Sequence, residues 1–141
     1  MKNQELTKGQ KTKLRIITGA LELIQEHGFD STSFQMISKE VGLSQQGVMN
    51  HFKNRDQLLA GILGYIKTKL YSEIEDSFDI HDNAYIQIKK HFYAQLNTIE
   101  KYPVSMQMYL LLYLKASFND GYTNLYTNTL TEVRTQYMKY I

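Results

Sequence analysis

Three side-chain amides set close together, Gln45, Gln46 and Asn50, carry the most distinctive chemistry in this 141-residue chain. A carboxamide both donates and accepts, so it can pair in bidentate fashion with the edge of adenine, worth about 1–3 kcal/mol of discrimination per base. Ser44 precedes them, Gly47 lies among them, and His51, Lys53 and Arg55 follow. Hydroxyls, cations and helix N-termini suit phosphate oxygens, which fix register on a duplex without reading its sequence.

These groups need a rigid frame, and the surrounding residues write one. Residues 33–40 read as a helix, 41–44 as a turn, 45–51 as a second helix and 55–77 as a third, longer one. Ser38 is small where two helices must cross. Gly42 accepts the positive φ of a tight turn. Ile37 and Val41, and likewise Val48 and Phe52, are four residues apart and share a helical face, with Leu43 filling the turn. If Val48 faces Ile37 and Val41, then Ser44, Gln45, Gln46 and Asn50 face outward. Thr32 with Gln35 fits a capping box at the first start. Ser44 suits the second cap, and Asn54 with Gln57 the third. The pattern is a helix-turn-helix. The candidate nucleic-acid contacts are Thr32, Ser33, Ser44, Gln45, Gln46, Gly47, Asn50, His51, Lys53 and Arg55.

Residues 10–60 resemble the N-terminal domain of the TetR family of transcriptional regulators. The likeness runs through an amphipathic helix at 14–27, then Gly28-Phe29-Asp30-Ser31-Thr32-Ser33. It continues with Ile37, Val41-Gly42-Leu43-Ser44, Val48, His51-Phe52-Lys53-Asn54 and Asp56-Gln57-Leu58-Leu59. Two positions depart from it: Gln46 stands where the family usually has Gly or Pro, and Met49 where it often has a Tyr that touches the DNA backbone. A Met cannot donate that hydrogen bond. The resemblance implies a C-terminal domain that binds small effectors. It also implies a chain near 200 residues whose last two helices dimerise, so this sequence is expected to be short or truncated.

The positive charge is concentrated at the start. Lys2, Lys8, Lys11, Lys13 and Arg15 face a single acid, Glu5, in residues 1–15, whereas residues 56–141 hold eight basic and nine acidic side chains. A basic arm leading into a helix-turn-helix favours phosphate. The first helix, from about Gly9 to His27, carries the stripe Leu14, Ile17, Leu21, Ile24, widened by Ile16, Ala20 and Leu23. Gly19 within it implies close packing, and Gly61 and Gly64 imply a bend or a tight crossing in the long helix.

Further helices are expected over 83–101, over 104–118 after the break at Tyr102-Pro103, and from Tyr122 after the turn Asn119-Asp120-Gly121. The long helix repeats apolar residues from Leu58 to Ile74, and the last carries Leu130, Val133, Tyr137 and Tyr140. A loop should begin near Ser77. Helix 104–118 is apolar on nearly every face and so should be buried on several sides. All eleven tyrosines lie at or beyond Tyr65. Phe92, Leu96, Met106, Tyr109, Tyr113 and Tyr126 are the candidate walls of a pocket for a hydrophobic or aromatic effector. His91, with Gln87 and Gln95 one turn away on each side, is expected on an exposed helix face, the alternative being a polar spot in a pocket.

The absence of cysteine excludes disulfides and cysteine-based chemistry. No metalloprotease, phosphate-loop or nucleophile motif occurs, so no enzyme activity, cofactor or metal is expected. No apolar run is long enough to span a bilayer, which makes the cytoplasm the default. The sequence thus predicts an all-α chain: residues 1–54 a three-helix bundle with helix-turn-helix and basic arm, residues 55–141 a helical ligand-binding and dimerisation domain. The expected function is a ligand-responsive repressor binding a palindromic operator as a homodimer. The alternative is a helical protein-interaction module that has lost DNA binding.

Overall fold

A computed structural model describes residues 5–75, 79 and 81–138. Among them the chain forms helices α1 (Lys8–His27), α2 (Phe34–Glu40), α3 (Gln45–Met49), α4 (Arg55–Glu75), α5 (Ala84–Lys101), α6 (Pro103–Phe118) and α7 (Asp120–Tyr137), and no strand. The expected all-α class is observed. The chain divides into two compact units, Met1–Ile62 and Leu63–Ile141, with the division inside α4.

In the first unit, α1 begins one residue earlier than the sequence suggested. Thr7 and Gln10 form a reciprocal capping box, the Gln10 amide N–H donating to Thr7 Oγ1 at 3.2 Å and the Thr7 N–H to Gln10 Oε1 at 2.8 Å. Gly28, at φ +80°, ends the helix. The buried face is Ile16, Ile17, Gly19, Ala20 and Ile24, while Leu14, Leu21 and Leu23 are half-buried, so the stripe is rotated from the expected one. Gly19 explains the rotation. A Cβ there would lie 2.6 Å from Val41 Cγ1, so α1 meets the end of α2 at a point with no room for a side chain.

The expected Thr32–Gln35 box does not form. Ser33 caps α2, accepting from the Met36 N–H at 3.2 Å. Thr32 is 3 % exposed, and its hydroxyl donates to the Gly28 carbonyl at 2.9 Å, because the turn at residues 28–32 folds it inward. The helix-turn-helix follows as predicted. Ser38 is buried, Gly42 adopts φ +61°, and the Leu43 N–H closes the turn on the Ser38 carbonyl at 2.9 Å. Helix α3 stops at Met49, two residues short of expectation. The Phe52 N–H donates back to the Val48 carbonyl at 3.1 Å, which tightens residues 50–52 and swings Phe52 into the core at 1 % exposure. Asn54 caps α4 through the Gln57 N–H at 2.9 Å. Gly61 lies against Phe52, where a Cβ would approach Cε1 to 2.6 Å, whereas Gly64 has open space.

In the second unit, Asn83 caps α5 through the Ile86 N–H at 3.0 Å. Pro103 opens α6, one residue before the predicted start, where its missing N–H costs nothing. The turn expected over three residues is confined to Asn119, which accepts from the Gly121 N–H at 2.9 Å, and α7 starts at Asp120. Helix α6 buries only one face, Val104, Ser105, Met108 and Leu112, while Leu110, Tyr113, Leu114 and Phe118 are exposed. The expectation of burial on several sides is not met by this chain. Lys101 pairs with Glu73 at 2.6 Å, joining α5 to α4, and Lys67 pairs with Glu132, joining α4 to α7. Lys2, the loop start near Ser77, the side chains of Ile74, Val133 and Tyr137, and Tyr140 lie outside the described residues.

The two glycine environments predict opposite effects. Gly19→Val should destabilise the chain by about 1–3 kcal/mol through overpacking against Val41. Gly64→Ala should stabilise it by about 0.5–1 kcal/mol by restricting the unfolded chain in open helix. Urea denaturation of both variants checks this, and a tolerated Gly19→Val would remove the close approach from the account.

Candidate nucleic-acid interface and effector pocket

Helix α3 divides its side chains by face. Val48 is fully buried, and Ser44, Gln45, Gln46 and Asn50 are exposed, as the spacing required. Ser44 caps the helix by accepting from the Gly47 N–H at 3.0 Å. A Cβ on Gly47 would lie 3.2 Å from that hydroxyl, a tight contact beside the cap. Gln46 Nε2 donates to Asn50 Oδ1 at 3.1 Å across one helical turn. Those two amides are therefore one preorganised surface unit, a pairing that their i, i+4 spacing permits. Met49 and His51 are half-buried beside them.

The cations separate into two roles. Lys53 is exposed, and its N–H is held by Gln57 Oε1 at 3.0 Å, which fixes the backbone before α4. Lys8, Lys11, Lys13 and Arg15 are exposed on the first two turns of α1, so this part of the expected arm is helical. Lys13 Nζ sits 5.3 Å from the Phe52 ring centroid, and Lys11 lies 3.6 Å from Glu5. Arg55 is a correction. Its guanidinium donates to the Thr32 carbonyl at 2.7 Å and to the Phe29 carbonyl, lies 3.9 Å from Asp30 and stacks 4.5 Å from the Phe29 ring centroid. A guanidinium committed in this way holds the turn at residues 28–33, a role the sequence did not show, while 39 % of its side-chain surface stays exposed. Thr32 is withdrawn as a hydroxyl contact, because it is buried and bonded to Gly28. Ser33 remains exposed at the start of α2.

In the second unit the six predicted pocket residues are not brought together. Met106 and Tyr109 line a cavity of about 200 Å³ between α4, α5 and α6. Phe92 and Leu96 are exposed on α5, and Tyr113 pairs with Tyr126, ring centroids 5.8 Å apart and planes tilted by 59°, between α6 and α7. The remaining cavity walls are Ile66, Leu70 and Ile99, with Gln95, Thr98 and Ser105 as polar groups. Sequence reading missed most of these, although the i, i+3 pair Gln95–Thr98 and the i, i+4 pair Ser105–Tyr109 each mark one helix face. Burial pushes the Tyr109 phenol up to about 12, so it stays neutral and able to donate.

His91 is a second correction. It is 5 % exposed, not on an open face, and its Nε2 lies 3.1 Å from Gln95 Nε2. Burial lowers its pKa, which keeps the ring neutral, so Nε2 accepts from the amide. A larger open cleft of about 500 Å³ lies beside Glu73, Lys89, Lys90 and Tyr93. Lys90 is paired with Asp82 at 2.6 Å there. Among the described residues no cluster of His, Asp or Glu could hold a metal ion, and no helix is long and apolar enough to cross a membrane.

Two measurements follow from these charges. Lys53→Gln should weaken binding to any duplex and lower the log–log salt slope by about 0.9, the value of one lost phosphate contact. An unchanged slope would place Lys53 away from the backbone. For His91 the folded pKa is below the unfolded 6.5, so the unfolded chain takes up the proton first as pH falls. Stability should be independent of this group above 6.5 and decline as pH falls below it, until the folded ring takes up the proton as well. Glu73, held low by Lys101, adds its own loss only below 4.5. His91→Phe should flatten the upper segment in a series of melts, and an unaltered profile would show that another group titrates.

Residues 16–62 match the profile of the bacterial regulatory proteins of the tetR family. The fatty acid metabolism regulator protein of Bacillus subtilis is 25 % identical, over 84 % of this chain and 66 % of its own length. The chain thus spans slightly under two thirds of that relative. A TetR-like transcriptional regulator from Rhodococcus sp. RHA1 superposes with a TM-score of 0.68 at 15 % identity, over 96 % of this chain and 73 % of that one. The ketosteroid transcriptional regulator KstR2 of Mycobacterium tuberculosis gives 0.68 at 16 %, over 92 % and 65 %. The capped five-residue α3, the Gly42 turn and the matched profile converge on one assignment: residues 16–62 of this chain form a DNA-binding domain of the tetR-family type, in a chain with the TetR-like fold.

Proposed function

We propose that this chain is a one-component repressor that binds a palindromic operator as a homodimer and releases it when a small effector occupies the second unit. The observation that carries the DNA reading is the two-sidedness of α3, with Val48 buried and Ser44, Gln45, Gln46 and Asn50 presented to solvent. One helix this short covers only a few base pairs, so a specific site needs two copies reading half-sites about one helical turn apart or somewhat more. Leu110, Leu114 and Phe118 on α6 and Leu130 on α7 are exposed apolar side chains that suit contact between copies.

The cavity between α4, α5 and α6 supports the effector reading. Its apolar walls are Ile66, Leu70, Ile99 and Met106, and its polar groups Gln95, Thr98, Ser105 and Tyr109 are uncharged. Such a site holds a molecule by burial and orients it with a few neutral hydrogen bonds. Met106 lets it accept several shapes. The effector is accordingly small, largely apolar and uncharged. Fatty acid metabolism and ketosteroid stand in the names of two of the similar proteins, in keeping with an apolar effector.

The test uses a duplex enriched from a random pool by the chain itself. Gln45→Ala and Asn50→Ala should cost about 1–3 kcal/mol on that duplex and leave random duplex nearly unaffected. Equal losses on both would refute base reading. Thermal melts against panels of neutral hydrophobic and of anionic metabolites check the cavity. Stabilisation by the neutral panel, lost in Met106→Ala, is expected, and stabilisation by the anionic panel alone would overturn the assignment.

A further inference from the structure

We infer that Arg55 is a positioning residue for DNA recognition, locking the α1–α2 turn to the first turn of α4 so that α2 and α3 keep one attitude. The inference rests on the DNA-binding reading above.

The turn at residues 28–33 is closed on itself by the Thr32 hydroxyl on the Gly28 carbonyl and the Thr32 N–H on the Phe29 carbonyl, and Arg55 ties it to α4. It starts from Gly28 in a left-handed conformation, and its backbone carbonyls at Phe29 and Thr32 both point at Arg55. A guanidinium is a planar fork that can satisfy two acceptors at once while stacking on a ring, which an ammonium cannot do. Arg55 uses both properties, the fork on the two carbonyls and the face on Phe29. The bonded residues are 23 and 26 positions away in sequence, so the contact ties the start of α4 to the segment that ends in Ser33, the α2 cap. Helix α2 then sets α3 through the Ser38–Leu43 hydrogen bond at the Gly42 turn. One side chain therefore lies between α4 and the attitude of both short helices.

The alternative role for a cation at this position is a phosphate contact, and charge and geometry separate the two. Arg55→Lys keeps the charge and loses the fork; Arg55→Gln loses both. Binding is measured at low temperature, where circular dichroism shows each variant folded, on the enriched duplex and on a mixed-sequence duplex across a salt series. Both variants should lose about tenfold or more on the enriched duplex, roughly the loss of one good hydrogen-bond pair, with the salt slope unchanged and mixed-sequence binding little altered. A fall in slope of about 0.9 in Arg55→Gln, retained in Arg55→Lys, would make Arg55 a phosphate contact and overturn the inference. Amide hydrogen exchange supplies a readout that needs no DNA. Both variants should lose protection selectively at residues 32–37, and unchanged protection there would overturn the lock by itself. If the wild-type chain binds neither duplex while the exchange result is as expected, the DNA reading fails and the lock survives.

Discussion

A helix of five residues has no independent stability in water, because too few hydrogen bonds offset the cost of nucleating it. Everything that α3 presents therefore depends on what lies beneath it. Val48 and Phe52 are buried at 0 % and 1 % exposure, Gly19 lets α1 close on Val41 at the end of α2, and Gly61 lets α4 close on the Phe52 ring. Burial of one apolar side chain contributes about 1.5–3 kcal/mol, so these two residues outweigh any single polar contact on the outer face. The amides of Gln45, Gln46 and Asn50 point outward because the opposite side is pinned.

The same constraint explains how the polar groups are divided. Side chains that hold the frame are turned inward and bonded to backbone: Thr32 to Gly28, Ser38 to Gln35, Arg55 to Phe29 and Thr32. Side chains left on the outer face bond only to near neighbours, as Gln46 does to Asn50. Arg55 and Lys53 are two residues apart, yet one is folded into the domain and the other is exposed beside it.

The second unit is built differently. Its polar ties are ion pairs between helices, Glu73 with Lys101 and Lys67 with Glu132, of a kind worth about 0–1 kcal/mol each. Its apolar surface is spread over several faces, so α5 and α6 leave large side chains exposed. Between them remains a small cavity with uncharged polar groups, and buried His91 stands behind Gln95. Thr98 lines that cavity, and its hydroxyl lies 3.3 Å from the Glu73 carboxylate, so the cavity wall adjoins the ion pair joining α4 to α5.

The sequence by itself determined the elements whose signals are local. Apolar spacing of four, a glycine at the turn, and hydroxyl or amide caps place the helix-turn-helix, because each rule acts within a single helical turn. Ser44, Gly42 and Asn54 do what their types imply. Tertiary structure alone decided which of two adjacent hydroxyls caps α2, since Thr32 and Ser33 are equivalent until the turn folds one inward. It decided the role of Arg55, whose partners are more than twenty residues away. It also decided the cavity. An aromatic or methionine side chain on a helix is equally suited to core, surface or pocket. Only the packing of α4, α5 and α6 selects Met106 and Tyr109 as walls and leaves Phe92, Leu96 and Tyr113 exposed.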